Sequence, residues 1–583
     1  MRSRSAKDHS PRSFGWRAYA LQGLLACAAL GLLWRAVDLQ LVDHGFLAKE
    51  GAARFSRVTK ISAHRGTITD RYGEPLAVST PVDSIWANPK ELALAIDQIP
   101  RLAQALKVDQ QELARRITSN LDREFLYLAR HRQPAEAQKI KALGIPGVYL
   151  MREYRRYYPA GEVTGHVLGF TNIDDAGQEG IELAFDHWLA GEDGAKRVIQ
   201  DRFGRVVQDV ESIRPARPGR DLVLSLDLRI QYLAYRELKA AIRQHRARAG
   251  SVVVLDVTTG EVLAMVNQPA YNPNDREQIS ARTYRNRAAT DIFEPGSSIK
   301  PFVVAAGLAS GKYDAGSIID TSGVIRIGRW QTEDEHDIGR ADLTTILAKS
   351  SNVGMARLAL SLEPQQLWET LTRLGFGRVT TSGYPGESAG LLSNYTHWRP
   401  IGIASLSRGY GLSVTPLQLA VAYAAMVGDG KVRSPRVGWA IVAPGGKIIK
   451  EITPPVIGEV PVAKHVRDYI RNALSQVPQD GTAAGAFAGF PFDKLNVGGK
   501  TGTAEVYGKD DTSWFASFAP AKNPRFVVVV MVSQGGMGAE TAAPAVRRIY
   551  EGIYGLGGKP AALPGGRPPE RPPVIAPDGT VAQ

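Results

Sequence analysis

Near the start of the chain, "AYALQGLLACAALGLLW" runs from Ala18 to Trp34, interrupted only by Gln22. An apolar run of 17 residues sits at the short end of what crosses a bilayer, and in hydrocarbon a lone segment satisfies its backbone only as a helix. Arg2, Arg4, Lys7, Arg12 and Arg17 precede it, and a basic flank of this kind stays cytoplasmic. The expectation is a basic cytoplasmic tail over 1–17, then a single-pass transmembrane signal anchor over 18–38. The body of the chain would then lie on the outer, extracytoplasmic side of the inner membrane. Two other layouts share the pattern. A cleaved signal peptide is also basic and then apolar, and "LLAC", ending at Cys27, loosely resembles a lipoprotein processing site. The apolar run continues past Cys27 and flows through Arg35 into the amphipathic "AVDLQLV", which favours an uncleaved anchor. Cys27 is the only cysteine, so no intrachain disulfide can form and an exported core must suffice without staples.

The 583 residues are 44% hydrophobic, enough for two to four domains with sizeable cores. The net charge of +13 comes without zinc-ligand spacing, an RNA-binding signature or a concentrated basic block, so nucleic acid is not an expected partner. Residues 42–220 read as a mixed α/β pedestal, rich in arginine and turn signals. Within it "AHRGTITDRYGEPLA" (63–77) alternates as strand, turn, strand. From 222 to 555 the reading is α+β. A strand leads into a long amphipathic helix, "GSVVVLDVTTGEVLAMVN" (250–267) forms a hairpin, and "DTSWFASFAP" and "RFVVVVMVSQGG" add two strands before a closing helix. That order suggests an antiparallel sheet flanked by helices. The proline-rich tail, 556–583, is expected to be disordered. Acidic "EDEHD" (333–337) reads as an exposed loop. His336 has no second histidine at ligand spacing, so no metal and no cofactor are expected.

"FEPGSSIKPF" (293–302) reads as a helix start. Residues three apart share a helix face, so Ser297 sees Lys300 and Ser298 does not. A partly desolvated lysine can take a serine proton, yet S-x-x-K alone is common. "KSSNVG" supplies Ser350 and Asn352 on a short turn, and "GGKTGTAEV" supplies Lys500, Thr501, Gly502 and Thr503 on a strand edge behind permissive glycines. The order S-x-x-K, S-x-N, K-T-G within one domain-sized region is a strong joint signal, shared by class A β-lactamases and penicillin-binding proteins. Acyl transfer from a peptide ending in a free carboxylate explains the parts. Ser297 is the nucleophile and Lys300, kept neutral by neighbouring positive charge, its base. Ser350 relays the proton to the leaving amine, and Asn352 holds Lys300 and the substrate amide. Lys500 supplies positive field, while the Thr501 and Thr503 hydroxyls bind the terminal carboxylate. Backbone N–H groups of Ser297 and Thr503 form an oxyanion hole, typically worth about 3 kcal/mol per donor.

The chain resembles class B penicillin-binding proteins, the peptidoglycan D,D-transpeptidases. "RGTITDRYGEPLAVST" (65–80), "RRYYPAGEVTGHVLGFTNIDDAGQEGIELAFDHWLAG" (155–191), "DRFGRVV" (201–207) and "GYGLSVTPLQLAVAYAAMVGDGK" (409–431) follow in the family's order. The resemblance implies a serine β-lactamase-like transpeptidase domain behind a dimerisation-type pedestal. No glycosyltransferase-like domain fits before Asp221, which points away from class A. Up to about 440 the chain is most similar to the division-specific FtsI type; from about 450 it is more like elongation-type class B enzymes. The FtsI pattern near 408 is Tyr-Gly-Tyr-Gly, whereas this chain has Arg408 followed by Gly409, Tyr410 and Gly411. Tyr410 is therefore expected at the substrate groove beside an altered wall. The loop after Thr503 is also shorter than in FtsI. The implied substrates are stem peptides ending in D-Ala-D-Ala, with β-lactams as covalent inhibitors. The implied partners are an FtsW-type lipid II polymerase and other divisome membrane proteins. Alternatives are an elongation-type transpeptidase, a D,D-carboxypeptidase or β-lactamase-like hydrolase, and an inert sensor or scaffold. No obvious glutamate-bearing motif for a second, deacylating base follows the S-x-N, and the motif set is complete, so cross-linking is preferred.

Overall fold

Strand Phe526–Ser533 reads FVVVVMVS, and every residue from Phe526 to Val532 is buried. An apolar strand without alternation must be covered on both faces. It lies at the centre of a five-stranded sheet, ordered Val262–Gln268, Ala249–Asp256, Phe526–Ser533, Lys509–Ala519, Gly498–Val506, with every neighbouring pair antiparallel. Helices Leu228–Gln244 and Ala542–Tyr554 pack on each other and on this sheet, and helix Pro416–Val427 packs on its three inner strands. The last helix is buried at eleven positions from Pro416 to Val427, as an all-apolar helix requires. A capping box between Thr415 and Gln418 starts it. The expected α+β architecture, an antiparallel sheet flanked by helices, is the observed one.

The computed structural model describes residues 15–38, 56–200, 206–506 and 508–556. The basic residues ahead of position 15 and the proline-rich tail from 557 lie outside the described residues. The chain forms two compact units that interleave in sequence. One comprises Ala63–Val82, Glu153–Glu192 and everything from Arg217 onward, so segments 63–82 and 153–192 of the expected pedestal share the unit that holds the five-stranded sheet. They are joined there by strand Ile68–Thr69, which pairs in parallel with Asp221–Leu224, and by a buried ion cluster. Arg65 Nε donates to Glu182 Oε2 at 2.8 Å, Arg156 Nε donates to Glu182 Oε1 at 2.6 Å, and Arg65 Nη1 donates to Asp186 Oδ1 at 2.6 Å. Glu182 thus has each carboxylate oxygen matched to a guanidinium, the condition under which charges can stay buried.

The other unit comprises Met1–Ser62, Asp83–Arg152 and Asp193–Ala216. Its small core gathers Ile85, Leu102, Leu106, Leu113, Ile117 and Leu128 from helices Ile99–Leu106 and Gln110–Thr118 and from paired strands. A three-stranded antiparallel ribbon has Gly194–Gln200 between Ser56–Ile61 and Val206–Arg214. Helix Gly15–Val37 contains the apolar run; its most apolar 18-residue stretch has a mean hydropathy of 1.6, and no residue from Trp16 to Val37 is buried. It is long and apolar enough to cross a membrane.

Candidate active site

The turn at Gly296 is built by close backbone approaches. Gly296 has φ +53°, and a Cβ there would lie 2.5 Å from Thr503 O; a Cβ at Gly409, φ +89°, would lie 2.0 Å from Gly296 O. Only glycine fits either position. The turn is thereby pressed between strand Gly498–Val506 and the segment that carries Arg408 and Tyr410. It continues as a 3-10 helix, Gly296–Ile299, and then as the α-helix Lys300–Ala309 with Pro301 in its first turn. The expected helical start is therefore a tighter one. In a 3-10 turn residues i and i+3 eclipse, so Ser297 and Lys300 share a face as the spacing implied.

The two serines have different environments. Ser298 is fully buried, its Oγ donates to Pro295 O at 2.7 Å, and its carbonyl accepts from Tyr423 Oη at 2.7 Å. Ser297 is only half-buried. Ser298 is tied to the scaffold, whereas Ser297 is partly exposed.

Lys300 is completely buried, and its Nζ donates to Ser350 O at 2.6 Å, to Asn352 Oδ1 at 2.9 Å and to Ser350 Oγ at 3.1 Å. S-x-x-K and S-x-N thus meet directly. Helix Leu343–Lys349, capped by Asp342, ends at Ser350 in the left-handed conformation, φ 62° and ψ 38°. That backbone costs a non-glycine residue roughly 1–2 kcal/mol, and it goes with a Ser350 carbonyl that accepts from Lys300. Ser351 then caps helix Asn352–Ser361 by accepting from Gly354 N at 2.9 Å. Burial, reinforced by the positive charges of Lys500 and Arg408 and opposed by Asp334, holds Lys300 well below the usual lysine range. A base must be neutral before it can accept a proton, and this environment favours that form.

Lys500, Thr501, Gly502 and Thr503 lie on the edge strand of the five-stranded sheet. Period-two alternation puts Lys500 and Gly502 on one face and the two threonines on the other. A Cβ at Gly502 would meet Pro295 O at 2.6 Å and Ser298 N at 3.1 Å, so the bare glycine lets the strand close against the Gly296–Ile299 turn. Lys500 is fully buried, donates only to Thr501 O at 3.1 Å and Thr501 Oγ1 at 3.5 Å, and is lowered by burial to about 7. Thr501 Oγ1 meets the Thr482 hydroxyl at 2.6 Å, and Thr503 Oγ1 accepts from Gly538 N at 3.2 Å. Tyr410 Oη accepts from Glu505 N at 3.2 Å, which puts it at the far end of the strand rather than among the lysines.

Sequence reasoning missed Asp334. The acidic segment is exposed at Glu333, Glu335, His336 and Asp337, but Asp334 is half-buried. Its carboxylate accepts from Val353 N at 3.0 Å and, by shorter contacts, from Asn352 N and Ser351 Oγ. The expectation of a merely solvated loop is corrected: an anion sits on the N-terminus of the helix that begins at Asn352, where helix N–H groups need acceptors. No local pattern announces an acceptor eighteen residues away from its donor; only its position between hydrophobic segments hinted at a loop.

With this geometry, residues 250–551 match the penicillin binding protein transpeptidase domain and residues 60–224 the penicillin-binding protein dimerisation domain. The chain is 40% identical to the peptidoglycan D,D-transpeptidase FtsI of Escherichia coli K12, over 92% of this chain and 91% of that protein. It is also 40% identical to the probable peptidoglycan D,D-transpeptidase PenA of Neisseria meningitidis, over 91% and 92%. Among solved structures it is similar to penicillin binding protein 3 of Mycobacterium tuberculosis in complex with aztreonam, with a TM-score of 0.66 and 27% identity over 88% of this chain and 99% of that one. The chain belongs to the penicillin-binding protein transpeptidase family, in the group that carries a dimerisation domain ahead of the catalytic one.

Proposed function

We propose that this protein is a peptidoglycan D,D-transpeptidase that cross-links stem peptides during septal wall synthesis. The observation that carries the chemistry is Lys300: buried, hydrogen-bonded to Ser350 and Asn352, and one 3-10 turn from Ser297. In the proposed reaction Ser297 Oγ attacks the carbonyl carbon of the penultimate D-alanine while the neutral Lys300 amine takes its proton. Ser350 passes that proton to the leaving D-alanine amine as the C–N bond breaks, leaving an ester on Ser297. The amine of a second stem peptide then attacks the ester, a new amide forms, and the proton returns to Ser297. The edge strand at Lys500–Thr503 offers unpaired backbone groups to an extended peptide. The Thr501 and Thr503 hydroxyls receive the terminal carboxylate within the positive field of Lys500, and Tyr410 borders the groove.

A β-lactam enters by the same attack on its ring carbonyl and stays as a stable ester. The discriminating experiment is the lifetime of the penicilloyl-enzyme: persistence for many minutes supports a transpeptidase, and turnover within seconds supports a β-lactamase-like hydrolase. We infer further that helix Gly15–Val37 is an uncleaved single-pass anchor in the inner membrane with the catalytic domain outside the cytoplasm. The sequence division into a pedestal over 42–220 and a transpeptidase domain over 222–555 follows the same reading, and an FtsW-type lipid II polymerase is the partner it implies. A fluorescent fusion concentrated at the division site supports the septal role, and one spread along the lateral wall supports the elongation-type alternative.

A further inference from the structure

Arg408 occupies the position where the division-type pattern has a tyrosine, between helix Pro400–Leu406 and the Gly409 that touches Gly296. Its guanidinium lies 5.4 Å from the centre of the Tyr410 ring, and its Nε is buried without a hydrogen-bond partner. Among the described residues no carboxylate pairs with it. Other arginines in the same unit do find acids: Arg433 with Asp429 and Arg436 with Glu261. An unpaired, partly desolvated guanidinium carries its full demand for an anion, and its planar fork suits a carboxylate. Arg408 is half-buried, and the next residue, Gly409, packs directly on Gly296 of the turn that carries Ser297; its positive charge acts on both Lys300 and Tyr410. Glu294 accepts from Gly411 N at 2.9 Å, and Glu505, exposed on strand Gly498–Val506, forms no ion pair with Arg408 among the described residues.

We propose that Arg408 forms a second carboxylate subsite, which selects acyl donors bearing an anionic group on the side chain next to the attacked carbonyl, in addition to the terminal carboxylate taken at Lys500–Thr503. The subsite rests on the transpeptidase reading above, since it assumes acylation at Ser297. A stem peptide offers such groups in its acidic residues, and a penicillin offers one only when its acyl side chain carries a carboxylate. Tyrosine at 408 could stack on a donor or give it one neutral hydrogen bond but supplies no positive charge to an anion.

Carbenicillin and benzylpenicillin form a matched pair, differing by one side-chain carboxylate. The test measures second-order acylation rate constants for both on the full-length protein, in wild type, Arg408→Tyr and Arg408→Lys. A charged hydrogen bond of ordinary strength corresponds to about tenfold in rate, so the carbenicillin-to-benzylpenicillin ratio should fall about tenfold in Arg408→Tyr and be largely retained in Arg408→Lys. A ratio unchanged in Arg408→Tyr overturns the subsite. Were Arg408→Tyr not to fold, Arg408→Gln decides by the same ratio. Failure of the wild type to be acylated by either compound would instead contradict the transpeptidase reading, and the subsite with it.

Discussion

Lys300 Nζ lies 2.6 Å from the carbonyl oxygen of Ser350, a residue held in the left-handed region at φ 62°. The lysine of one motif, the proposed base, is thus held by the strained backbone of another, and the Ser350 hydroxyl is brought to 3.1 Å from the same nitrogen. Glycine adopts this backbone without penalty. Ser350→Gly should therefore fold at least as stably as the wild type while losing the proton relay. Acylation should slow about 10²-fold or more, measured by benzylpenicillin labelling beside a thermal melt. A large loss of stability with rapid acylation would contradict both assignments.

Asp334 and Arg408 act on Lys300 with opposite signs. Acylation needs the neutral amine, so its rate rises with pH through the Lys300 pKa. Removing the negative charge in Asp334→Asn lowers that pKa further and moves the rising limb to lower pH. Removing the positive charge in Arg408→Tyr raises it and moves the limb to higher pH. The pH profile of the acylation rate constant reads both, and shifts in the same direction would refute this electrostatic picture.

Lys500 is buried with its pKa lowered to about 7, against roughly 10.4 in an unfolded chain. Between those values the unfolded state binds more protons, so the destabilisation caused by burying this lysine is complete below about pH 7 and fades as pH rises toward 10. Lys500→Met should raise the melting temperature most at pH 6, with the gain shrinking at alkaline pH, while acylation collapses. A gain that grows with pH would contradict the buried, depressed lysine.

Glu182 accepts from both Arg65 and Arg156 in a fully buried cluster. Removing the anion strands Arg156 and leaves Arg65 with Asp186 alone, a loss of the kind that typically costs about 3–5 kcal/mol. Glu182→Ala should therefore lower chemical-denaturation stability by that order. A triple change that also makes Arg65 and Arg156 apolar should recover much of it, whereas a Glu182→Ala protein as stable as wild type would show the cluster to be dispensable.

The parts of the site that were legible in the sequence are those set by local spacing. Ser297 and Lys300 share a face in either an α or a 3-10 turn, and K-T-G between glycines and alternating apolar residues reads as an edge strand. The sheet was legible because strands such as Phe526–Ser533 carry unbroken apolar runs. What stayed hidden depends on the chain returning to itself. Asp334 capping the Asn352 helix, the left-handed turn at Ser350, and Gly409 closing over Gly296 arise from contacts between distant segments. The interleaving of 63–82 and 153–192 with the catalytic unit is likewise a property of strand pairing and of the Arg65–Glu182–Arg156 cluster, which no single window contains.

The central claim is that Ser297 is the nucleophile and Ser298 part of the scaffold. Intact-protein mass spectrometry after benzylpenicillin treatment tests it most directly, on the wild type, Ser297→Ala and Ser298→Ala. The wild type should gain the mass of one penicillin and keep it for many minutes, and Ser297→Ala should gain none. Ser298→Ala should still be labelled, with a stability loss of about 1 kcal/mol for its lost bond to Pro295 O. Stable labelling of Ser297→Ala, or its loss only in a well-folded Ser298→Ala, would contradict the account.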